Sequence, residues 1–308
     1  MAKPIIIIAD PGIDGAFAIA LALIDPALEV RGLAASPGNV PADQATDNVH
    51  TIIEQTDPPR WPRLGVAPAV EYEIDGANLH GQGGLGGVSF KVARRHHALP
   101  GEKMIGELLR AAPKEITLVV LGPLTVVARA LDREPDLPAL VDRIICLGGS
   151  WHEPGNASAV AEFHFYCDPL AARQVLRSGA PITLIPLDVS RKLLFSPTDL
   201  LTLPAAESRT CQFLRQIVPY GIRATSNLYG IEGFHLKDVL GIAAVAIPGA
   251  LTTRAVHADV ETQGHLTRGM SVIDTRPQST VEPNVDLVTG VDVTAVRDYI
   301  KRTLELAH

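Results

Sequence analysis

The sequence predicts an α/β protein built on a doubly wound, mostly parallel sheet, with helices on both faces and a late helical and antiparallel addition. Three observations predict it. Ile5–Ile8 is an unbroken apolar run that stops at Asp10-Pro11-Gly12, as a strand buried on both faces does. Short β-type runs then alternate with polar loops and helical spacing as far as Pro186. From Pro197 the order changes to long helical spacing, followed by β-type runs at Leu251–Val260 and Leu287–Val293. No stretch has the composition of a linker, so residues 1–308 are expected to form a single domain.

The elements follow in order. Ala16–Leu23 reads as a helix leaving the Pro-Gly turn. Asp10 and Asp14 bring two carboxylates to the carboxyl end of the first strand, where open α/β sheets place their ligands. Acids there can hold a hard cation, activate a water or grip sugar hydroxyls. Asp14 suits a helix cap equally well. Glu29–Ser36 reads as the second strand and ends at Pro37-Gly38-Asn39. On local grounds Asn39 caps a helix over Ala42–Glu54. Arg63–Val66 is a short third strand.

Gly76–Gly87 holds six glycines in twelve residues and reads as irregular, a loop able to wrap a ligand around His80. It lacks the Gly-Lys-Ser/Thr of a phosphate loop. Lys103–Ala112 has helical spacing, and the strand Glu115–Leu121 is broken by Gly122-Pro123 before Thr125 opens a helix. The strand Arg143–Leu147 precedes a polar loop, Ser150–Phe163, that carries His152, Glu153, Asn156 and Glu162. Pro169–Ser178 is helical, and Pro181–Pro186 is a strand ending near Asp188. Right-handed crossovers put all these loops on one rim. Pro197–Val218 reads as mostly helical. Tyr220–Phe234 reads as a loop whose Tyr220, Tyr229 and Phe234 can stack on a planar ring. Leu236–Ala246 is an apolar helix with Asp238 as a first-turn acid, and the last helix runs over Ala295–Leu306.

The bulk numbers exclude several classes. A net charge of −7 with both signs interspersed argues against nucleic acid as a partner. Cys146, Cys167 and Cys211 have no metal-ligand spacing and are expected to be reduced and packed. No stretch reaches the length of a membrane span, and the apolar run before Asp10 is too short for a signal peptide. A cytoplasmic location is expected.

Several segments together resemble the inosine-uridine nucleoside hydrolases, across nearly the whole chain. They are D-P-G-I-D at 10–14, P-G-N at 37–39, H-G-Q-G-G-L-G at 80–86 and L-G-P-L-T at 121–125. G-N at 155–156, A-E-F-H-F-Y-C-D-P at 161–169 and K-D-V-L-G-I-A at 237–243 complete the set. The resemblance implies cleavage of the N-glycosidic bond of a ribonucleoside with the help of calcium, in a homo-oligomer (dimer or tetramer). It implies Asp10 as calcium ligand and base for the attacking water. The Thr125 carbonyl and Asp238 are further calcium ligands. Asp14, Asn39, Asn156 and Glu162 are implied at the ribose and His80 near the base; Tyr229, from the aromatic residues noted above, is a further candidate for substrate binding. Such cleavage passes through an oxocarbenium-like state.

Four positions depart from the family pattern. Ile8 and Gly15 replace acids, His164 replaces an Asn at the ribose, and Lys237 replaces a His that is a proposed proton donor to the leaving base. The pocket thereby loses carboxylates and gains an ammonium. The expectation is that Lys237 takes over part of the work of the calcium or of the proton donor, and contacts Asp10 or Asp238. The other reading leaves Lys237 in solvent or paired with Glu232, with calcium still bound. Both a hydrolase and a silent ribose-binding homologue remain compatible with the sequence.

Overall fold

The computed structural model describes residues 2–90, 99–204 and 207–307. Residues 205 and 206 of the expected Pro197–Val218 helical stretch lie outside the described residues. Strand β1 (Lys3–Ala9) sets the plan. Alternate side chains of a strand face opposite sides. Accordingly Ile5 and Ile7 enter one core layer and Ile6 and Ile8 the other, all fully buried. Each such burial contributes roughly 1.5–3 kcal/mol. Ile8 therefore belongs to the core, so this departure from the family pattern alters packing and leaves the rim untouched.

The remaining strands are β2 (Leu28–Ala35), β3 (Arg63–Gly65), β4 (Thr117–Leu121), β5 (Arg143–Leu147) and β6 (Ile182–Ile185). Then come β7 (Leu194–Phe195), β8 (Phe234–His235), β9 (Leu251–Val260), β10 (Ser271–Asp274) and β11 (Val285–Val291). Nine of them form one sheet in the order β10-β9-β11-β6-β5-β4-β1-β2-β3. The seven strands from β3 to β11 pair in parallel, and β9 and β10 add antiparallel at one edge. The winding reverses between β1 and β4: one half steps outward through β2 and β3, the other through β5 and β6. Ligands of such sheets sit outside the carboxyl ends at this switch. β1 meets β2 with a register shift between Ile5 and Ile6. β7 and β8 form a separate antiparallel pair.

Helices cover both faces. The layer of Ile5 and Ile7 is closed by the helices Ile13–Ile24, Ala42–Thr56, Arg209–Tyr229, Val239–Ala246 and Val293–Leu304. The opposite layer is closed by Gly101–Ala111, Thr125–Arg133 and Pro169–Leu176. No described helix is long and apolar enough to cross a membrane.

Three local expectations fail. Asn39 does not cap the helix that follows; Pro41 stands at its N-cap, and the Asn39 side chain is used elsewhere. The glycine-rich segment contains a helical turn, Ala77–His80. Tyr220–Tyr229 is helix rather than loop, because one helix runs from Arg209 to Tyr229 through Pro219. Its buried positions Cys211, Leu214, Val218, Gly221 and Thr225 keep helical spacing across the proline. That continuous stripe of burial outweighs the one hydrogen bond the proline removes. The helix ends at Gly230, in the left-handed region at φ 67°.

Candidate active site

The rim is organised on Asp10, the residue after β1. It is 1% exposed. Its Oδ2 accepts the Asn39 backbone N–H at 2.9 Å, and the Asn39 side-chain amide donates to the Asp10 carbonyl at 3.0 Å. The glycines of two motifs pack directly on this acid. A Cβ at Gly38 would fall 2.0 Å from Asp10 Oδ2, and one at Gly122 would fall 2.9 Å from Oδ1. Oδ1 has no hydrogen-bond partner among the described residues. Burial pushes the Asp10 pKa up to about 7, with Asp14 adding to the rise against the opposing pull of His164 and the Asn39 N–H.

Two adjoining chambers open beside it. The inner one, about 210 Å³, is bordered by Asp14, Asn39, Asn156, Glu162, His164 and Asp238, with Asp75 and Asn78 at its entrance side. Asp238 is buried at the start of its helix without capping it by a side-chain hydrogen bond, so its carboxylate serves the chamber. Burial raises its pKa well above the usual range, Asp14 and Asp10 add to the rise, and Lys237 opposes it. Asp14 likewise caps nothing, and its Oδ1 is buried without a hydrogen-bond partner.

Glu162 is fixed by its own backbone surroundings. Oε2 accepts from the N–H groups of Gly149, His164 and Phe165 at 3.1, 2.9 and 3.2 Å. Oε1 remains available to a hydroxyl. Asn156 Oδ1 accepts from Phe163 N–H at 2.8 Å, which leaves its amide nitrogen to donate. The loop bearing Asn156 is held from β6: Asp188 accepts from the N–H groups of Trp151, His152 and Glu153 at 2.7, 2.6 and 3.0 Å. His164 borders the chamber, lies 3.3 Å through Nδ1 from the Leu147 carbonyl and brings Nε2 to 3.8 Å from Asp10 Oδ1.

The outer chamber, about 350 Å³, is more apolar and is walled by Leu79, Ile231, Phe234 and Tyr229, the last 57% exposed at the mouth. Arg191, Thr225 and His235 also border it. Asp14, His80, Asn156 and Lys237 border both chambers. His80 Nδ1 accepts the Ile13 N–H at 3.0 Å, which makes Nε2 the donating nitrogen of the neutral ring. Its ring meets Phe234 edge-on at 5.8 Å. Burial lowers the His80 pKa to about 4, with Lys237 and His164 adding to the drop.

Nine of the eleven expected site residues thus border one cavity: Asp14, Asn39, His80, Asn156, Glu162, His164, Tyr229, Lys237 and Asp238. Asp10 and Thr125 do not. The Thr125 hydroxyl lies 2.6 Å from both Tyr72 OH and Asp168 Oδ2, which ties the loop before Asp75 to the helix after Cys167. Tyr220 also stands apart, near Gly81. The Lys237 carbonyl accepts the Leu240 N–H at 3.0 Å, but the Lys237 ammonium makes no hydrogen bond or ion pair among the described residues, so the expected contact with Asp10 or Asp238 is not formed, nor is one with Glu232. Arg191 and His235 have no sequence signal beyond their nearness to Asp188 and Lys237. Asp75 and Asn78 lie within or beside the glycine-rich segment that signalled His80.

The donor set suits calcium poorly. Gly15 stands where a further acid would be: its Cβ position is 3.0 Å from Asp238 Oδ2, so a carboxylate there would meet Asp238 directly. Among the described residues no three His, Cys, Asp or Glu side chains group so as to hold a metal ion. His164 approaches the free oxygen of Asp10, and the ammonium of Lys237 acts on Asp238. The remaining oxygens are few for an ion that takes six to eight.

Carboxylates and amides border a chamber of sugar size that joins an aromatic recess at the switch of a parallel sheet, and the fold that carries them is of the nucleoside hydrolase class. The chain belongs to the inosine-uridine preferring nucleoside hydrolase family, whose model matches residues 5–298. It is 33% identical to a pyrimidine-specific ribonucleoside hydrolase of Klebsiella pneumoniae, over 99% of both chains. It is 32% identical to a non-specific ribonucleoside hydrolase of Shigella boydii, over the whole of both. Among solved structures, it superposes on a plant nucleoside hydrolase with a TM-score of 0.91 at 27% identity, covering 99% of each chain. A purine-preferring ribonucleoside hydrolase from Gardnerella vaginalis gives 0.90 at 26% identity, covering 99% of this chain and all of the other.

Proposed function

We propose that the chain hydrolyses the N-glycosidic bond of a ribonucleoside or related N-riboside, with Asp10 as the base for the attacking water and without a resident calcium ion. One observation carries the assignment of the base. Asp10 is a buried carboxylate with one oxygen free of hydrogen bonds and a pKa near the working pH, the condition under which a general base is most effective. Asp14, Glu162 and Asn156 orient the sugar through its hydroxyls, and Asn39 fixes Asp10 through two hydrogen bonds. His80 and Tyr229 face the base. Lys237 supplies positive charge where the glycosidic electrons depart.

A second reading has its own support: Asp10 does not border the cavity, whereas His164 does. In that reading the chain binds ribosides without cleaving them. Reducing-sugar release from a nucleoside panel separates the two. Hydrolysis by the wild type, reduced roughly 10²–10⁴-fold in Asp10→Asn, supports the hydrolase. Calorimetric binding with no sugar release supports the binding protein.

A further inference from the structure

The two chambers differ in charge. Asp14, Asp75, Glu162 and Asp238 border the inner one, with Lys237 as its fixed cation. The outer one has two fixed cations, Arg191 and Lys237, and among the described residues that border it the one acid is Asp14 at the junction. The sugar-sized chamber is thus acidic and the recess for the aglycone is basic. Resting on the hydrolase reading above, we propose that the aglycone is an acidic nucleobase, one that carries a carboxylate or an ionised lactam at neutral pH.

The outer cations are available to such a group. The Lys237 ammonium has no hydrogen bond or ion pair among the described residues. Arg191 uses Nη1 on Glu153 at 3.1 Å, and its other N–H groups remain to donate. His235 Nδ1 is buried without a partner. An anionic base would set a further counter-charge against Lys237 and Arg191 on the aglycone side, where Asp14 at the junction is the acid that borders the recess.

The chemistry agrees with the departure at position 237. When the C1′–N bond breaks, its electron pair goes to the base nitrogen, while the water oxygen bonds to C1′ and its proton passes to Asp10. An ordinary base then needs a proton on that nitrogen or elsewhere on the ring. An acidic base already carries one negative charge and takes the pair as a second, so it departs as a dianion that Lys237 and Arg191 hold until its nitrogen is protonated by solvent. Fixed cations can hold that charge while the proton arrives from solvent, so the histidine that the family pattern has at position 237 is not needed for it.

Matched pairs of substrates test the idea: orotidine against uridine, which differ by one carboxylate, and xanthosine against inosine, which differ by one acidic lactam. The expected result is a kcat/KM at least about 10-fold higher for the acidic member of each pair. Lys237→Gln and Arg191→Gln should each shrink that ratio towards one, and Arg191→Gln, which lies outside the sugar chamber, should leave calorimetric binding of free ribose unchanged. Equal or higher kcat/KM for uridine and inosine in the wild type would overturn the proposal, as would ratios that survive both substitutions. The two levels of the argument fail separately. If no nucleoside is cleaved but orotidine still binds more tightly than uridine, the hydrolase reading falls and the preference for an acidic base stands.

Discussion

His164 Nε2 lies 3.8 Å from Asp10 Oδ1, so an imidazole stands beside the one free oxygen of the buried acid. The imidazole thus approaches Asp10 as well as bordering the chamber. Its influence lowers the Asp10 pKa against the much larger upward push of burial.

Removing that imidazole should move the pH profile. Asp10 works as a base only when ionised, so kcat/KM rises as pH passes through about 7. In His164→Gln the opposing influence is gone, and the acid limb should shift to higher pH. A limb that stays in place, measured on the same nucleoside, would show that Asp10 is not the group being titrated.

Calcium should be dispensable. The purified chain is expected to contain well under one equivalent of calcium, and a chelator should leave its melting temperature unchanged, because no ligand of the folded state is withdrawn. Gly15→Asp combined with Lys237→His should create a calcium-dependent rise in melting temperature. Either change alone should give less, since both act on one ion. Stoichiometric calcium in the wild type, found by elemental analysis, would contradict this.

Asp14 borders both chambers and keeps a buried oxygen free. Asp14→Ala should weaken riboside binding by about 1.5–3 kcal/mol, the range for hydrogen bonds to a charged group. Calorimetry on wild type and variant gives the comparison, and equal affinities would remove Asp14 from the sugar site.

Stability should respond to pH through opposed groups. The Asp10 pKa is raised to about 7 by burial, so its contribution is full below pH 3.8 and fades as pH climbs through 7. His80 and His235 are both lowered to about 4, chiefly by burial, so their contributions are full above pH 6.5 and are lost as pH falls through 4. Between pH 4 and 6.5 these slopes work against each other. Asp10→Asn removes one side, so its urea midpoint should fall more steeply with acidification than that of the wild type. A constant offset between the two curves would show that Asp10 titrates alike in the folded and unfolded chain.

Much of this site was legible because its acids follow apolar runs. Asp10 after Ile5–Ile8 and Asn39 after the second strand are placed by the strand ends alone, and the family motifs supplied the later members. Local rules failed where tertiary contacts overrode them. Asn39 looked like a cap, but its amide is engaged by Asp10. The helix through Pro219 looked broken, but its buried stripe continues. Arg191 and His235 were not legible, because a four-residue helix and a two-residue strand carry no periodicity. Ile8 read as a lost acid, whereas the strand pleat turns it into the core.

That pleat has a consequence for insertions and deletions. The four isoleucines divide between two core layers, and Asp10 sits one residue beyond the strand they form. Adding or deleting a single residue within Ile5–Ile8 would exchange the layers and move the acid by roughly 3.3 Å along the strand, onto the other side. Length changes in this segment would therefore abolish function by misplacing an intact carboxylate. The segment between β9 and β10 is coupled to the site as well, since Met270 bridges Ala161 beside Glu162 and Ser271 Oγ donates to the Ser150 carbonyl.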